Sequence, residues 1–345
     1  MSAIVTIATF LKESEKTPII DVRSPGEFAC GHIPGAINIP LFDNEERAKV
    51  GTRYKQAGRD FAVELGLEIV GPKMADLLRK ARKIAKQKKL LVHCWRGGMR
   101  SQSMAWLFEM GGLKVGVLDG GYKKYRSYIR SQFERDISIY ILGGFTGSGK
   151  TEILYELAKK GEQIIDLEGL AHHKGSAFGT IGQSPQPTNE QFENDLAKEW
   201  MKLDSGRIVW LEDESITMGQ CGIPFPLFQR MRNTQVYKVL IPKNVREERL
   251  VKEYANGDIS GLRNALERIS RKLGGLRAQQ ALQALDEGDF TKVADISLQY
   301  YDKAYGFGID KRDQKKVMEI PISDDHPENT AQLLIEITKD SVKEK

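Results

Sequence analysis

The chain reads as an α/β protein of two domains, each built on a parallel sheet with flanking helices. Three observations predict this. Short apolar runs alternate with helical segments along the whole chain, the alternation restarts after a charged helical stretch near residues 125–135, and two apolar strands run directly into glycine-rich loops that open helices. At 345 residues, 40% hydrophobic and 29% charged, the chain has the material for two cores of ordinary domain size. No apolar run approaches the ~20 residues of a membrane helix. The start MSAIVTIATFLKESEK has neither a basic region nor a small-residue cleavage site, so a cytoplasmic protein without membrane contact is expected. Cys30, Cys94 and Cys221 lie far apart without a C-x-x-C pair, which points away from a disulfide framework or a zinc site.

In the first domain, placed over 1–128, TPIIDVR, KLLVHC and KVGVLDGGY are strands, and GHIPGAINIP is a turn-rich connection. PKMADLLRKARKIAKQ and SQSMAWLFEMGG have helical character. A linker helix is expected over 129–136. The second domain, 137–345, has strand candidates at ISIYILGG, QIIDLEG, RIVWLEDES, QVYKVLIP and KVMEIPI, with a helical segment over 246–306. No internal repeat or low-complexity stretch interrupts either part.

The sharpest motif is Gly144-Phe-Thr146-Gly147-Ser148-Gly149-Lys150-Thr151. It satisfies G-x-x-x-x-G-K-[ST] between a strand and a helix, which is the context a phosphate-binding P-loop requires. Glycines let backbone N–H groups turn toward phosphate oxygens, Lys150 adds a point charge, and the helix N-terminus adds its dipole. Thr151 is placed to reach a magnesium ion. The strand RIVWLEDES ends in Glu212, Asp213 and Glu214, any of which can hold or orient that metal, the alternative being a capped turn. In LIPKNVREERL, Arg246 and Arg249 suit a lid over phosphates or a solvated helix face equally.

Cys94 sits at the mouth of an apolar strand, followed by Trp95, Arg96, Gly97, Gly98, Met99 and Arg100, with a helix expected from about Ser101. Loop amides, a helix N-terminus and the guanidinium groups of Arg96 and Arg100 all favour a sulfur anion there, so the expected role is nucleophile. Cys30 and Cys221 read instead as small buried hydrophobes.

The formal net charge is +5, unevenly spread. Residues 73–89, which include Lys73, Arg79, Lys80, Arg82 and Lys83, carry a net +7, and residues 246–277, ending in Arg268, Arg271, Lys272 and Arg277, a net +3. Such clusters are either solvated faces or the footprint of a phosphate-rich partner.

IIDVRSPGEFACGHIPGAINIPL followed by a C-x5-R loop resembles a rhodanese domain, whose loop cysteine carries sulfur or selenium. Within that pattern Arg23 and Glu27 read as a structural ion pair and His32 as a turn residue. Together with FDNEERAKVGTRYKQ, GGFTGSGKTEIL, DLEGLAHHKGSAFG and WLEDES, these motifs resemble the tRNA 2-selenouridine synthase family over nearly the whole chain. The resemblance implies a rhodanese-like sheet joined to a P-loop NTPase-like α/β domain with a helical extension. It also implies a selenotransferase and geranyltransferase that converts 2-thiouridine at the tRNA wobble position to 2-selenouridine through an S-geranyl intermediate. Geranyl diphosphate and selenophosphate are then co-substrates, the latter supplied by a selenophosphate synthetase, with magnesium at Thr151 and tRNA as the partner of the basic clusters. Two other readings stand beside it: an ATP-dependent kinase-like enzyme with a rhodanese-like regulatory domain, and a non-catalytic RNA-binding module. Intact Cys94 and Lys150 count against the second.

Overall fold

The computed structural model describes residues 2–176, 178–255, 258–323 and 325–343, and the chain divides after Gln132 into two compact units. Unit 1 runs β1 (Ala3–Val5), α1 (Ile7–Ser14), β2 (Ile19–Asp21), α2 (Pro25–Cys30), β3 (Ile37–Asn38), α3 (Asn44–Ala57), α4 (Arg59–Val70), α5 (Met74–Ile84), β4 (Lys89–His93), α6 (Met99–Met110), β5 (Lys114–Leu118) and α7 (Gly121–Gln132). Its sheet has the order β1-β5-β4-β2-β3 with every pairing parallel. Central strands covered on both faces need apolar side chains throughout, and Leu90, Leu91 and Val92 of β4 are all buried. Leu77 and Ala81 of α5, four residues apart and so on one helix face, join Met104 and Phe108 of α6 in this core.

The expected strands of unit 1 are present, while β1 and the short β3 were not foreseen. α5 is shorter than its basic pattern suggested. It ends at Ile84 because the chain then turns through Gln87 and Lys88, both with positive φ, into β4. The helix anticipated over 129–136 is the end of α7, which stops at Gln132.

Unit 2 contains β6 (Ile139–Gly144), α8 (Lys150–Lys159), β7 (Gln163–Ile165), α9 (Leu167–Ala171), α10 (Asn189–Lys202), β8 (Val209–Glu212), the hairpin β9 (Thr217–Met218) and β10 (Cys221–Gly222), and α11 (Phe225–Asn233). It continues with β11 (Val236–Leu240), α12 (Lys243–Ala255), α13 (Ile259–Leu273), α14 (Gly275–Asp286), α15 (Phe290–Asp310), β12 (Val317–Pro321) and α16 (Pro327–Lys343). The order β12-β11-β6-β8-β7 is again parallel throughout. β6 lies between β11 and β8, so the loop after β6 and the acidic end of β8 emerge together at the carboxyl edge, where open α/β sheets bind ligands. α13, α14 and α15 pack around their own apolar core of Leu262, Leu266, Ile269, Ala281, Val293 and Leu298. No helix of the described residues is long and apolar enough to cross a membrane.

Candidate functional site

In unit 1 the thiol of Cys94 is buried, with Sγ 3.3 Å from the hydroxyl oxygen of Ser101, which itself donates to the Gly98 carbonyl. α6 begins at Met99, earlier than expected, with Gly98 as an N-cap that supplies no side-chain bond. Ser101 N–H bonds the Gly98 carbonyl, and no side chain caps the helix N-terminus, an end that favours an anion. The strand-to-helix turn after β5 clamps the loop from the other side: Tyr122 N–H donates to the Cys94 carbonyl at 2.9 Å and Lys123 N–H to that of Trp95. Gly121 makes this approach possible. Its φ is +58°, and a Cβ there would stand 2.5 Å from the Cys94 carbonyl oxygen.

The two expected arginines part ways. Arg100 is held by Glu27 through bonds of 2.7 and 3.3 Å, whereas Arg96 is exposed. Glu27 is therefore not the partner of Arg23. The capping box of α2 turns its carboxylate back onto Ser24 N–H and toward Arg100, and Arg23 forks onto Asp21 instead, with Nη2 2.6 Å from Oδ2. Burial alone would raise both carboxyls, but His93 and Arg23 outweigh it at Asp21, and Arg100 does so at Glu27, holding each below its ordinary range. His32 Nδ1–H donates to the Phe28 carbonyl at 3.1 Å, and the ring stacks on that of Phe28, a local contact within its turn. Cys30 is exposed, contrary to its reading as a buried hydrophobe, because α2 buries none of its residues. Cys221 is buried, which pushes its thiol up to about 11.

In unit 2, Gly144 to Thr151 form the strand-loop-helix turn between β6 and α8. Gly149 caps α8 with φ +69° and no side-chain bond, and a Cβ on it would meet the Arg249 guanidinium at 2.5 Å. Arg249 thus lies on the loop, paired with Glu152 and Asp325. Arg246 is a buttress and not a lid residue: it is buried, grips Asp302 with both terminal nitrogens at 2.8 Å, and donates to the Thr146 carbonyl. Lys150 Nζ rests on the Gly144 carbonyl at 3.2 Å, and the buried Ser148 hydroxyl has no protein partner.

The three acids at the end of β8 also separate. Thr151 donates to Glu212 at 2.7 Å and lies 3.3 Å from Glu168. Asp213 is committed to Arg312, with Arg232 at 3.7 Å, and accepts from the Tyr305 hydroxyl, which in turn accepts the Gly144 N–H. Glu214 shares a hydrogen bond with Glu168. Burial, with Glu168 and Asp166 beside it, pushes the Glu212 carboxyl up to about 8, and burial raises Glu168 and Glu214 as well. One Glu212 oxygen is buried without a partner. A donor set of hydroxyl and carboxylate oxygens with excess negative charge fits magnesium, which takes one or two such ligands and completes its shell with water and phosphate. Among the described residues no group of three or more His, Cys, Asp or Glu forms a self-sufficient metal site.

A cleft of about 1450 Å³ opens from this loop. Its lining includes apolar and aromatic side chains, Phe178, Ile181, Leu250, Ile269, Tyr300 and Tyr301, beside charged ones such as Lys174, Arg232, Lys252 and Lys272. Glu168, Tyr305 and His173, all at the cleft, were not singled out from the sequence; DLEGLAHHKGSAFG drew notice only as part of a family pattern.

The basic clusters differ in availability. Lys73 is paired with Glu46, Arg79 with Asp76, and Arg82 donates to the Gly111 carbonyl, while Lys80 and Lys83 are exposed. Arg268, Arg271, Lys272 and Arg277 are exposed on α13 and α14, and Lys272 lines the cleft.

Residues 137–324 match the family model of the tRNA 2-selenouridine synthase AAA domain, and residues 6–128 match the rhodanese-like domain. A tRNA 2-selenouridine synthase of Bordetella bronchiseptica is 34% identical over 90% of this chain and 92% of its own length. One from Bdellovibrio bacteriovorus is 35% identical, covering 86% and 90%. Among solved structures, a rhodanese-related protein of Thermoplasma volcanium aligns at 19% identity with 36% of this chain and 92% of its own, with a TM-score of 0.23.

Proposed function

This chain belongs to the tRNA 2-selenouridine synthase family, and from that premise we propose that it modifies the wobble uridine of tRNA in two steps, one in each unit. In the first step the sulfur of 2-thiouridine attacks C1 of geranyl diphosphate. The new S–C bond forms as the C1–O bond breaks, and diphosphate departs with the electron pair. Charge grows on the departing oxygens, so groups aimed at them act most strongly in the transition state. Those groups are the amides of Gly147 to Lys150 and the Lys150 ammonium. Thr151 and Glu212 are the residues that would hold a magnesium ion, and such an ion, when bound, supplies further neutralisation of the diphosphate.

Geranylation turns a poor leaving sulfur into a leaving thiol and makes C2 electrophilic. In the second step selenium adds to C2 at the Cys94 loop, and the C2–S bond breaks to release geranylthiol. Selenophosphate already holds selenium at the selenide level, so its transfer with release of phosphate needs no oxidant. Water takes the phosphoryl group as the P–Se bond breaks to phosphate and selenide, and the selenide attacks C2. Cys94 forms no bond to selenium but lines the loop that holds the anion, with Ser101 beside its sulfur and the N-terminus of α6 facing it.

The observation that supports this reading is the cleft of unit 2, whose lining combines the Gly144–Thr151 loop with apolar and aromatic side chains. A prenyl diphosphate combines the same two characters. The test is mass spectrometry of nucleosides from 2-thiouridine tRNA incubated with the protein and geranyl diphosphate, with and without selenophosphate. Without selenophosphate S-geranyl-2-thiouridine should accumulate, and with it 2-selenouridine should form, in neither case with ATP. ATP hydrolysis coupled to each modified uridine would put the kinase-like reading ahead.

A further inference from the structure

α3 is fourteen residues long and buries none of them. Helices in globular proteins are held mainly by an apolar face. This one lies along α4, rests only Val50 on the core, and is tied at its first half by Asn44 to Gly26, Glu46 to Lys73 and Arg47 to Glu27. Residues 47–59 carry five basic side chains and no acidic one. Arg53, Tyr54 and Lys55 near the end of α3, and Arg59 and Phe61 at the start of α4, are exposed, Tyr54 to 59% and Phe61 to 51%. The Arg53 guanidinium lies 5.4 Å from the centre of the Phe61 ring, so cation and aromatic faces are interleaved at the tip of the hairpin. Arg59 Nη2 is 3.9 Å from Sδ of Met99, the residue that opens α6 just beyond the Cys94 loop. On that loop Trp95 is exposed too. At and in α5, by contrast, Lys73, Arg79 and Arg82 are already taken up by Glu46, Asp76 and the Gly111 carbonyl.

We propose that the α3–α4 hairpin is a docking surface for looped, single-stranded RNA, which it holds against the Cys94 loop. The inference rests on the functional reading above and names where unit 1 receives the anticodon loop. Phosphates of the loop meet Arg53, Lys55 and Arg59, and unstacked bases lie on Tyr54, Phe61 and Trp95. A duplex offers no base faces to such side chains, whereas a loop does. Chemistry at C2 of the uridine also requires that base to leave its stack.

The test uses the full chain and a synthetic anticodon stem-loop with 2-thiouridine at the wobble position, beside the same stem closed as a blunt duplex. The triple variant Arg53→Ala, Lys55→Ala, Arg59→Ala should weaken stem-loop binding at least about tenfold and lower the slope of log affinity against log salt by about 2, at ~0.7 per single-strand phosphate. Tyr54→Ala with Phe61→Ala should weaken the stem-loop by on the order of tenfold and leave the duplex unaffected. All five side chains are exposed, so the melting temperature should not move, and binding is compared between folded chains. Unchanged affinity and slope in the triple variant overturn the inference. So does flattening produced instead by Lys80→Ala, Lys83→Ala, Lys86→Ala, or blunt duplex bound as tightly as the stem-loop. If the unsubstituted chain neither binds nor modifies the stem-loop, the functional reading fails and the inference with it; if it does both while the variants bind as well, only the inference fails.

Discussion

Arg23 presses its guanidinium against the Asp21 carboxylate on one side and lies 3.9 Å from the centre of the Tyr122 ring on the other, and Tyr122 donates its backbone N–H to the Cys94 carbonyl. The buried pair therefore reaches the thiol through one aromatic residue. Asp21→Asn leaves a buried guanidinium uncompensated and should cost about 3–5 kcal/mol, read as a loss of denaturant midpoint. A carboxyl held below its ordinary range contributes stability that is complete above the unfolded value and is lost as pH falls through the folded one. Stability from this pair should accordingly persist from neutral pH down to about pH 4 and vanish below it, and the Asn variant should lack that acid limb. At Cys94 itself, Cys94→Ala should leave geranyl transfer intact and accumulate S-geranyl tRNA, seen in the nucleoside mass spectrum. Equal failure of both steps in that variant would contradict the assignment of selenium alone to this loop.

The turn from β6 into α8 was legible because all its determinants are contiguous: eight residues, one strand before them and one helix after. The environment of that turn was not. Tyr305 stands 161 residues beyond the Gly144 whose N–H it accepts, and Arg312 is 99 residues beyond Asp213, so only the fold, which brings the end of α15 and the turn after it to the ends of β6 and β8, reveals them. The same distance effect decides among Glu212, Asp213 and Glu214, which the sequence left equivalent. Arg312 and Arg232 neutralise Asp213, while Glu212 faces Thr151. α3 and α4 were passed over for a different reason: with no apolar stripe on α3, periodicity gives no signal. Lys150→Ala should reduce geranylation on the order of a hundredfold, the usual cost of one charge contact in a dry site, while pre-geranylated tRNA still exchanges selenium. Glu212 carries the opposite pH sign from Asp21. Folded, it keeps a proton that the unfolded chain has lost, so stability falls as pH rises from the ordinary glutamate range to about 8 and levels off beyond. Glu212→Gln cannot ionise and should flatten the decline in melting temperature over that window in magnesium-free buffer. An unaltered decline would mean that Glu168 and Glu214 alone hold the excess protons.

At the scale of the whole chain, two parallel sheets with separate cores carry two loops of the same strand-glycine-helix design, one ending in a thiol and the other in an ammonium and a hydroxyl. Each loop suits one step of the proposed reaction, and the geranyl group is bonded to the tRNA sulfur in between, not to the protein. No covalent tie holds the intermediate to the molecule that made it, so release and rebinding are open to it, limited only by the phosphate contacts and hence by salt. An equimolar mixture of the Cys94→Ala and Lys150→Ala chains should then convert 2-thiouridine fully to 2-selenouridine, although each alone stops short, the first at the S-geranyl nucleoside and the second before it. Raising salt should speed recovery in the mixture relative to the unsubstituted protein by hastening departure of the geranylated tRNA, until binding itself becomes limiting. Accumulation of S-geranyl tRNA in the mixture, with no 2-selenouridine above the sum of the separate chains, would show that the intermediate is passed on within one molecule and never set free.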